Sequence, residues 1–265
     1  MHRVAFSKGG TSLFQKRGGD YSPNNFHPIS KGVNRRMKLY KANRLMMVCL
    51  MATGLCFSFA QVANANDPHA GKYELVVPEQ PTTTPDKVEV VELFWYTCPH
   101  CKIFEEKFFK QWRAEKPEDV EVIHMPAVFN RPGKPDQRIP LAKAFYIAKA
   151  LGVFDKIHQP LFYAVHTQKR KMNNEEALQQ FFAQYGVSKE DFTNTYHSFG
   201  IDAKIKRASE MTDRYGITGV PVVIVNGKYR LNSTKADGYK KMMKILDDLI
   251  EQERQKLPKK AENAD

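Results

Sequence analysis

Cysteine is scarce in this chain: 265 residues hold four. Cys49 and Cys56 lie in an apolar stretch ahead of the main body, while Cys98 and Cys101 stand three residues apart. Two thiols are too few for the disulfide framework of a small secreted scaffold, and the ligands of a tetrahedral zinc site are not in evidence. Internal repeats and low-complexity blocks are also missing, so neither organises the chain. The apolar run from Leu45 to Ala60 is shorter than the roughly 20 residues of a comfortable membrane span.

That run fits a secretory signal. Lys38, Lys41 and Arg44 form a basic start, Leu45 to Ala60 the apolar centre, and Ala63-Asn64-Ala65 the small residues of a cleavage site. The expected signal covers 37–65 with cleavage before Asn66, Met37 is the expected start, and 1–36 is an N-terminal extension. Cys49 follows Val48 and Cys56 follows Leu55, where a lipid anchor requires a small residue. Residues 1–65 hold ten of the 41 Lys and Arg and one of the 29 Asp and Glu, so net charge falls from +12 to +3 in the remainder. This removes the concentrated basic footprint of a nucleic-acid binder. Export to an oxidising compartment leaves Cys98 and Cys101 as the only thiols, open to disulfide chemistry.

The exported part, about 200 residues, is long enough to bury a substantial core. A short strand is expected over Tyr73 to Val77. Val88 to Trp95 is a nearly continuous β-branched and aromatic run, suited to a strand covered on both faces. Cys98 follows, then a helix through Phe104, Phe108 and Trp112 that Pro117 stops, then a strand over Val120 to His124. Strand, CxxC, helix and strand make a βαβ unit with parallel pairing. Between about 136 and 206 the pattern is helical. Leu141, Ala144, Phe145 and Ala148 form one stripe, closed by Gly152. Asn173 and Glu176 make a capping box ahead of Leu178, Phe181, Phe182 and Tyr185, closed by Gly186. Ser188 caps a short helix closed by Gly200, and Ile205 to Tyr215 mark another, closed by Gly216. Strand character returns at Val222 to Val225 and Lys228 to Leu231 around Asn226-Gly227, a preferred hairpin turn. A last helix runs through Tyr239 to Leu249, and 257–265 is a flexible, charged tail.

The spacing of the dithiol has a mechanical logic. At a strand-to-helix junction Cys98 sits at a helix N-terminus, where free N–H groups and the macrodipole favour an anion. Pro99 lacks only an N–H that would have no partner there. Cys101 lies one turn on, within reach for a disulfide and more buried, and His100 offers a donor or positive charge beside the Cys98 thiolate. These effects lower the Cys98 pKa, which favours the reduced form and makes the pair an oxidant. The bland alternative is a structural disulfide. Gly219-Val220-Pro221 precedes the Val222 strand. It can be a cis-proline turn whose Val220 backbone pairs with an extended peptide, or a trans proline opening a strand. Glu92 is an odd residue in an apolar strand, and a buried carboxylate needs a partner or a raised pKa.

Trp95-Tyr96-Thr97-Cys98-Pro99-His100-Cys101, Gly219-Val220-Pro221 and Val225-Asn226-Gly227-Lys228-Tyr229, in that order with helices between, resemble the periplasmic thiol:disulfide oxidoreductases of the DsbA family. A low-pKa cysteine and an oxidising couple belong to that family and are here implied by the resemblance. It implies an α/β thioredoxin fold over 66–135 and 207–256, interrupted by a helical subdomain over 136–206. It also implies Cys98 as nucleophile, Cys101 as its buried partner, Val220 and Pro221 as the cis-proline loop, and Glu92 assisting proton transfer at the buried thiol. Some members pair that glutamate with a lysine on the following strand, where this chain carries Val122, with His124 nearby. The implied reaction, in the periplasm, gives the disulfide to newly exported polypeptides with free thiols through a mixed disulfide. The membrane partner DsbB then reoxidises the pair. No metal or organic cofactor and no nucleic acid are expected, and the protein is expected to be a monomer. The competing readings are a reductase or isomerase on the same fold, and a non-catalytic peptide-binding chaperone module.

Overall fold

The computed structural model describes residues 67–129, 136 and 138–258. The expected extension and signal, the cleavage site, Cys49, Cys56 and the tail beyond 258 lie outside the described residues. Five strands form one sheet: β1 (Glu74–Leu75), β2 (Val88–Phe94), β3 (Val120–Pro126), β4 (Val222–Val225) and β5 (Tyr229–Leu231). Their order is β1-β5-β4-β2-β3. β2 and β3 run parallel, as the βαβ reading requires, and the other pairs are antiparallel. β1 is shorter than expected; Val76 still donates to Lys228 O at 2.7 Å, and Pro78, with no N–H, cannot extend the ladder.

Every residue of β2, which lies between β4 and β3, is buried. Its side chains alternate between two cores. Val88 and Val90 pack with Val223, Val225 and the last helix, α8 (Tyr239–Arg254), through Met242, Ile245, Leu246 and Leu249. Val91 and Leu93 pack on the other face with Ile224, Met211 and Tyr215. At the hairpin tip Asn226 and Gly227 both take positive φ, 50° and 69°. Gly227 is required twice over, because a Cβ there would lie 1.9 Å from Gln80 O.

The helix after Cys98 departs from a regular period. It begins as α1 (Pro99–Phe104), passes through one wide turn (Glu105–Phe109) and continues as α2 (Lys110–Glu115). In the wide turn Lys110 N–H reaches Glu105 O, five residues back. The expected inward stripe of Phe104 and Phe108 is thereby shifted: Phe104 and Phe109 are fully buried and stacked at 5.3 Å, and Phe108 is only half-buried.

The helical region holds α3 (Ile139–Ala150), α4 (Phe154–His166), α5 (Glu175–Ala183), α6 (Lys189–Tyr196) and α7 (Phe199–Arg214). Helix α4 has no counterpart in the periodicity reading, since Pro160 lies inside it. Burial of Ile157, His158, Leu161 and Phe162 outweighs the lost N–H. Asn174, not Asn173, caps α5, its side chain accepting from Ala177 N–H at 2.9 Å. Gly200 does not close a helix; Ser198 caps α7 and Gly200 lies in its first turn. Ser188 caps α6 as expected. Helix α7 runs unbroken across the junction expected at 206/207. No described helix is long and apolar enough to cross a membrane.

Candidate active site

Cys98 is the N-cap of α1, with extended backbone, and Pro99 occupies the first turn. Cys101 N–H donates to Cys98 Sγ at 3.4 Å, and Cys98 Sγ lies 3.6 Å from Val220 O. Both thiols are free; Cys98 is 9% exposed, Cys101 wholly buried. The Cys98 pKa is lowered to about 6, first by the hydrogen bond from the Cys101 thiol. Burial opposes this, and the N–H groups of Cys101 and His100 and the charge of His100 add to it. Burial, then the Cys98 interaction, drives the Cys101 pKa far up, and Glu92 contributes in the same direction. Side by side, one sulfur favours the anion and the other the thiol.

Pro99 and His100 are exposed beside the pair. The Val220–Pro221 bond is cis. A groove of about 580 Å³ opens at this face, lined by His100, Gly219, Val220, Pro221, Arg230 and Tyr239 among others. Four of the sequence-predicted residues therefore meet on one surface. Arg230, which the sequence reading does not single out, donates through Nη1 to the carbonyls of Tyr215 and Gly216, both at 2.6 Å. It anchors the start of the loop that carries Gly219 and Val220.

Behind the pair lies a buried polar cluster. Glu92 is 1% exposed. Parallel register sets Val122 against Val90 and His124 against Glu92, so the residue facing this acid on the next strand is His124. His124 Nδ1 is 2.6 Å from Glu92 Oε2, and His124 Nε2 is 2.6 Å from Arg113 Nη1. Arg113 also forks onto Glu105, Nη2 to Oε1 at 3.0 Å and Nη1 to Oε2 at 3.3 Å, and Gln159 donates to Oε1 at 3.0 Å. His158 Nδ1 meets Tyr96 Oη at 2.8 Å, while its Nε2 has no hydrogen-bond partner and lies 3.8 Å from Glu105. Burial raises the Glu92 pKa to about 8 against the pull of Arg113. Burial also holds His124 down at about 3, helped by Arg113.

Glu105, His124 and His158 bring possible ligand atoms within 4.8 Å of one another. The Arg113 guanidinium already bonds two of the three, so a positive group fills the place a cation would take. The second buried acid of β2, Glu89, has its own partners, the N–H and Oγ1 of Thr83 at 2.8 and 2.5 Å. His124, Arg113, Glu105 and His158 were not legible as a group: their assembly depends on strand register and on the wide turn.

Residues 89–249 match the family described as DSBA-like thioredoxin domain. The chain belongs to this DsbA-like thioredoxin family. It is 36% identical over 211 residues to the thiol:disulfide interchange protein DsbA of Pseudomonas aeruginosa, covering 79% of this chain and 96% of that one. With the DsbA of Azotobacter vinelandii identity is 34% over 215 residues, 80% and 98% of the two chains. The crystal structure of Pseudomonas aeruginosa DsbA superposes with a TM-score of 0.65 at 36% identity, covering 70% of this chain and 93% of that one. As a DsbA-like protein the chain has the thioredoxin fold with added helices, and it is a thiol:disulfide oxidoreductase.

Proposed function

We propose that this chain is a periplasmic dithiol oxidase that donates a Cys98–Cys101 disulfide to newly exported polypeptides. The observation that carries this reading is the asymmetry of the pair: Cys98 with its pKa lowered to about 6 at a helix N-terminus, Cys101 buried with its pKa raised. A substrate thiolate attacks Cys98 Sγ, the S–S bond breaks, and its electron pair passes to Cys101 Sγ, which takes up a proton. A second substrate thiolate then attacks the substrate sulfur of the mixed disulfide, and Cys98 leaves as a thiolate. The substrate loses two electrons and two protons; the pair gains both electrons and one proton, and the other proton goes to solvent.

Pro99 keeps the first turn open for the thiolate and His100 adds charge and an N–H to it. Gly219, Val220 and Pro221 offer the backbone against which an extended substrate lies, and Glu92 gives the proton to Cys101. A membrane reoxidant of the DsbB kind restores the disulfide, which is the electron carrier, so the cycle needs no other cofactor. The protein acts as a monomer, exported by the 37–65 signal. Thioredoxin-like segments 66–135 and 207–256 flank the helical insert, sharing α7 with it. Equilibration with glutathione tests the direction: a potential well above that of the glutathione pool is expected, and one below it makes the protein a reductase. Cys98→Ser should abolish oxidation of a reduced, unfolded substrate; undiminished protection of that substrate from aggregation with no oxidation by the parent protein would indicate a chaperone instead.

A further inference from the structure

The cluster behind Cys101 constrains its own protons. A guanidinium has only donors, so the 2.6 Å contact from Arg113 Nη1 requires a bare lone pair on His124 Nε2. A neutral ring with a bare Nε2 carries its hydrogen on Nδ1, and Nδ1 faces Glu92 Oε2 at 2.6 Å. Glu92 Oε2 is thereby committed as an acceptor. Oε1 makes no hydrogen bond to any described residue, and a proton on Glu92 has only that oxygen to occupy.

We propose that Arg113 and His124 are positioning residues that lock the imidazole as a permanent Nδ1–H donor and leave Glu92 Oε1 as the one proton port to Cys101. The inference rests on the assignment of Glu92 as proton donor to Cys101. The neighbours of the ring support the lock. Arg113 from α2 and Lys149 from α3 oppose a second ring proton, while Glu105 from the wide turn and Asp155 from α4 favour one; burial and the two cations win. His158 from α4 packs at 5.4 Å between ring centroids, and burial keeps its pKa low too. Glu105 takes the second edge of Arg113 and so holds the guanidinium on Nε2. The arrangement excludes the imidazole as a rival base: proton delivery on reduction, and withdrawal on reoxidation, pass through one carboxyl oxygen.

Ring ¹⁵N NMR of the whole protein, reduced and oxidised, tests this. His124 should show a protonated Nδ1 and a bare Nε2, unchanged from about pH 5 to 9. A protonated Nε2 or an imidazolium at neutral pH overturns the lock, whatever the redox potential proves to be. Arg113→Lys, which keeps a donor at Nε2, should preserve the signature. Arg113→Leu should release it, so that the ring becomes protonated as pH falls and the pH profile of reoxidation gains one ionisation. A folded Arg113→Leu protein with the parent tautomer and pH profile would overturn the positioning role. The potential against glutathione, measured on the parent protein, reports separately on the oxidase reading.

Discussion

In front of the dithiol, the charge of Cys98 is held within one helix turn: the Cys101 thiol and the N–H groups of Cys101 and His100 all favour its thiolate. Behind it, charge is managed by side chains: Glu92, His124, Arg113 and Glu105 hold one another out of water. The front needs a helix start, which is local, and a turn that the pairing of β4 with β2 brings to it from 122 residues away. The rear needs three elements in register at once, and the buried Glu105 and His124 both lean on Arg113, whose side chain keeps 23% of its surface exposed. Local order makes a reactive anion at the surface; assembled order makes a proton donor in the interior.

The largest effect expected sharpens the front half of this contrast. Cys98 titrates at about 6 in the fold against an ordinary value of 9.0. A depressed pKa gives stability that is complete above the ordinary value and lost as pH falls to the folded one. The stability of the reduced protein relative to the oxidised one should therefore rise between about pH 6 and 9, by roughly 2–4 kcal/mol. Denaturant midpoints of the two forms across this range would check it, and parallel pH profiles would break the contrast.

Next comes the rear. Glu105→Ala strands the Arg113 charge beside His124, with an expected loss of about 3 kcal/mol in urea unfolding. A loss within roughly 0.5 kcal/mol, typical of surface changes, would mean the Arg113 charge finds water once Glu105 is gone. The same cluster holds Glu92, whose pKa is about 8 in the fold and 4.5 ordinarily. Its folded form holds the proton more tightly, so its ionisation erodes stability as pH rises between those values. At about 1.36 kcal/mol per pKa unit, Glu92→Gln should gain up to about 4 kcal/mol over the parent at pH 8 and less than about 1 kcal/mol at pH 5. A gain independent of pH would place its origin outside this titration.

Legibility in the sequence follows the same division. The CxxC, the β2 run, the Asn226-Gly227 hairpin and the Gly219-Val220-Pro221 turn are contiguous, and their chemistry is written in neighbours. The His124–Glu92 pairing is not, since it follows from how β3 slides along β2, and Val122 is as reasonable a neighbour of Glu92 until that register is known. Helix α4 hides behind Pro160, whose local penalty is outweighed by burial that only the whole fold supplies. Asn173 and Asn174 are equivalent as letters; the backbone alone decides which one caps.

The wide turn at Glu105–Phe109 decides which side chains of the helix can meet. Eight residues separate Glu105 from Arg113, about 80° out of line on a regular α-helix, whereas seven would bring them within about 20°. Their contact exists because one residue is absorbed by the turn. The helix thus behaves like a regular one into which a single residue has been spliced, the backbone bulging so that every later side chain keeps its place. Removing the exposed Lys107 should straighten the rod while Phe104 still stacks on Phe109 and Arg113 still reaches Glu105. A crystal structure of that shortened chain, with both contacts kept, would show the extra residue to be dispensable to them; loss of either contact would show it to be indispensable.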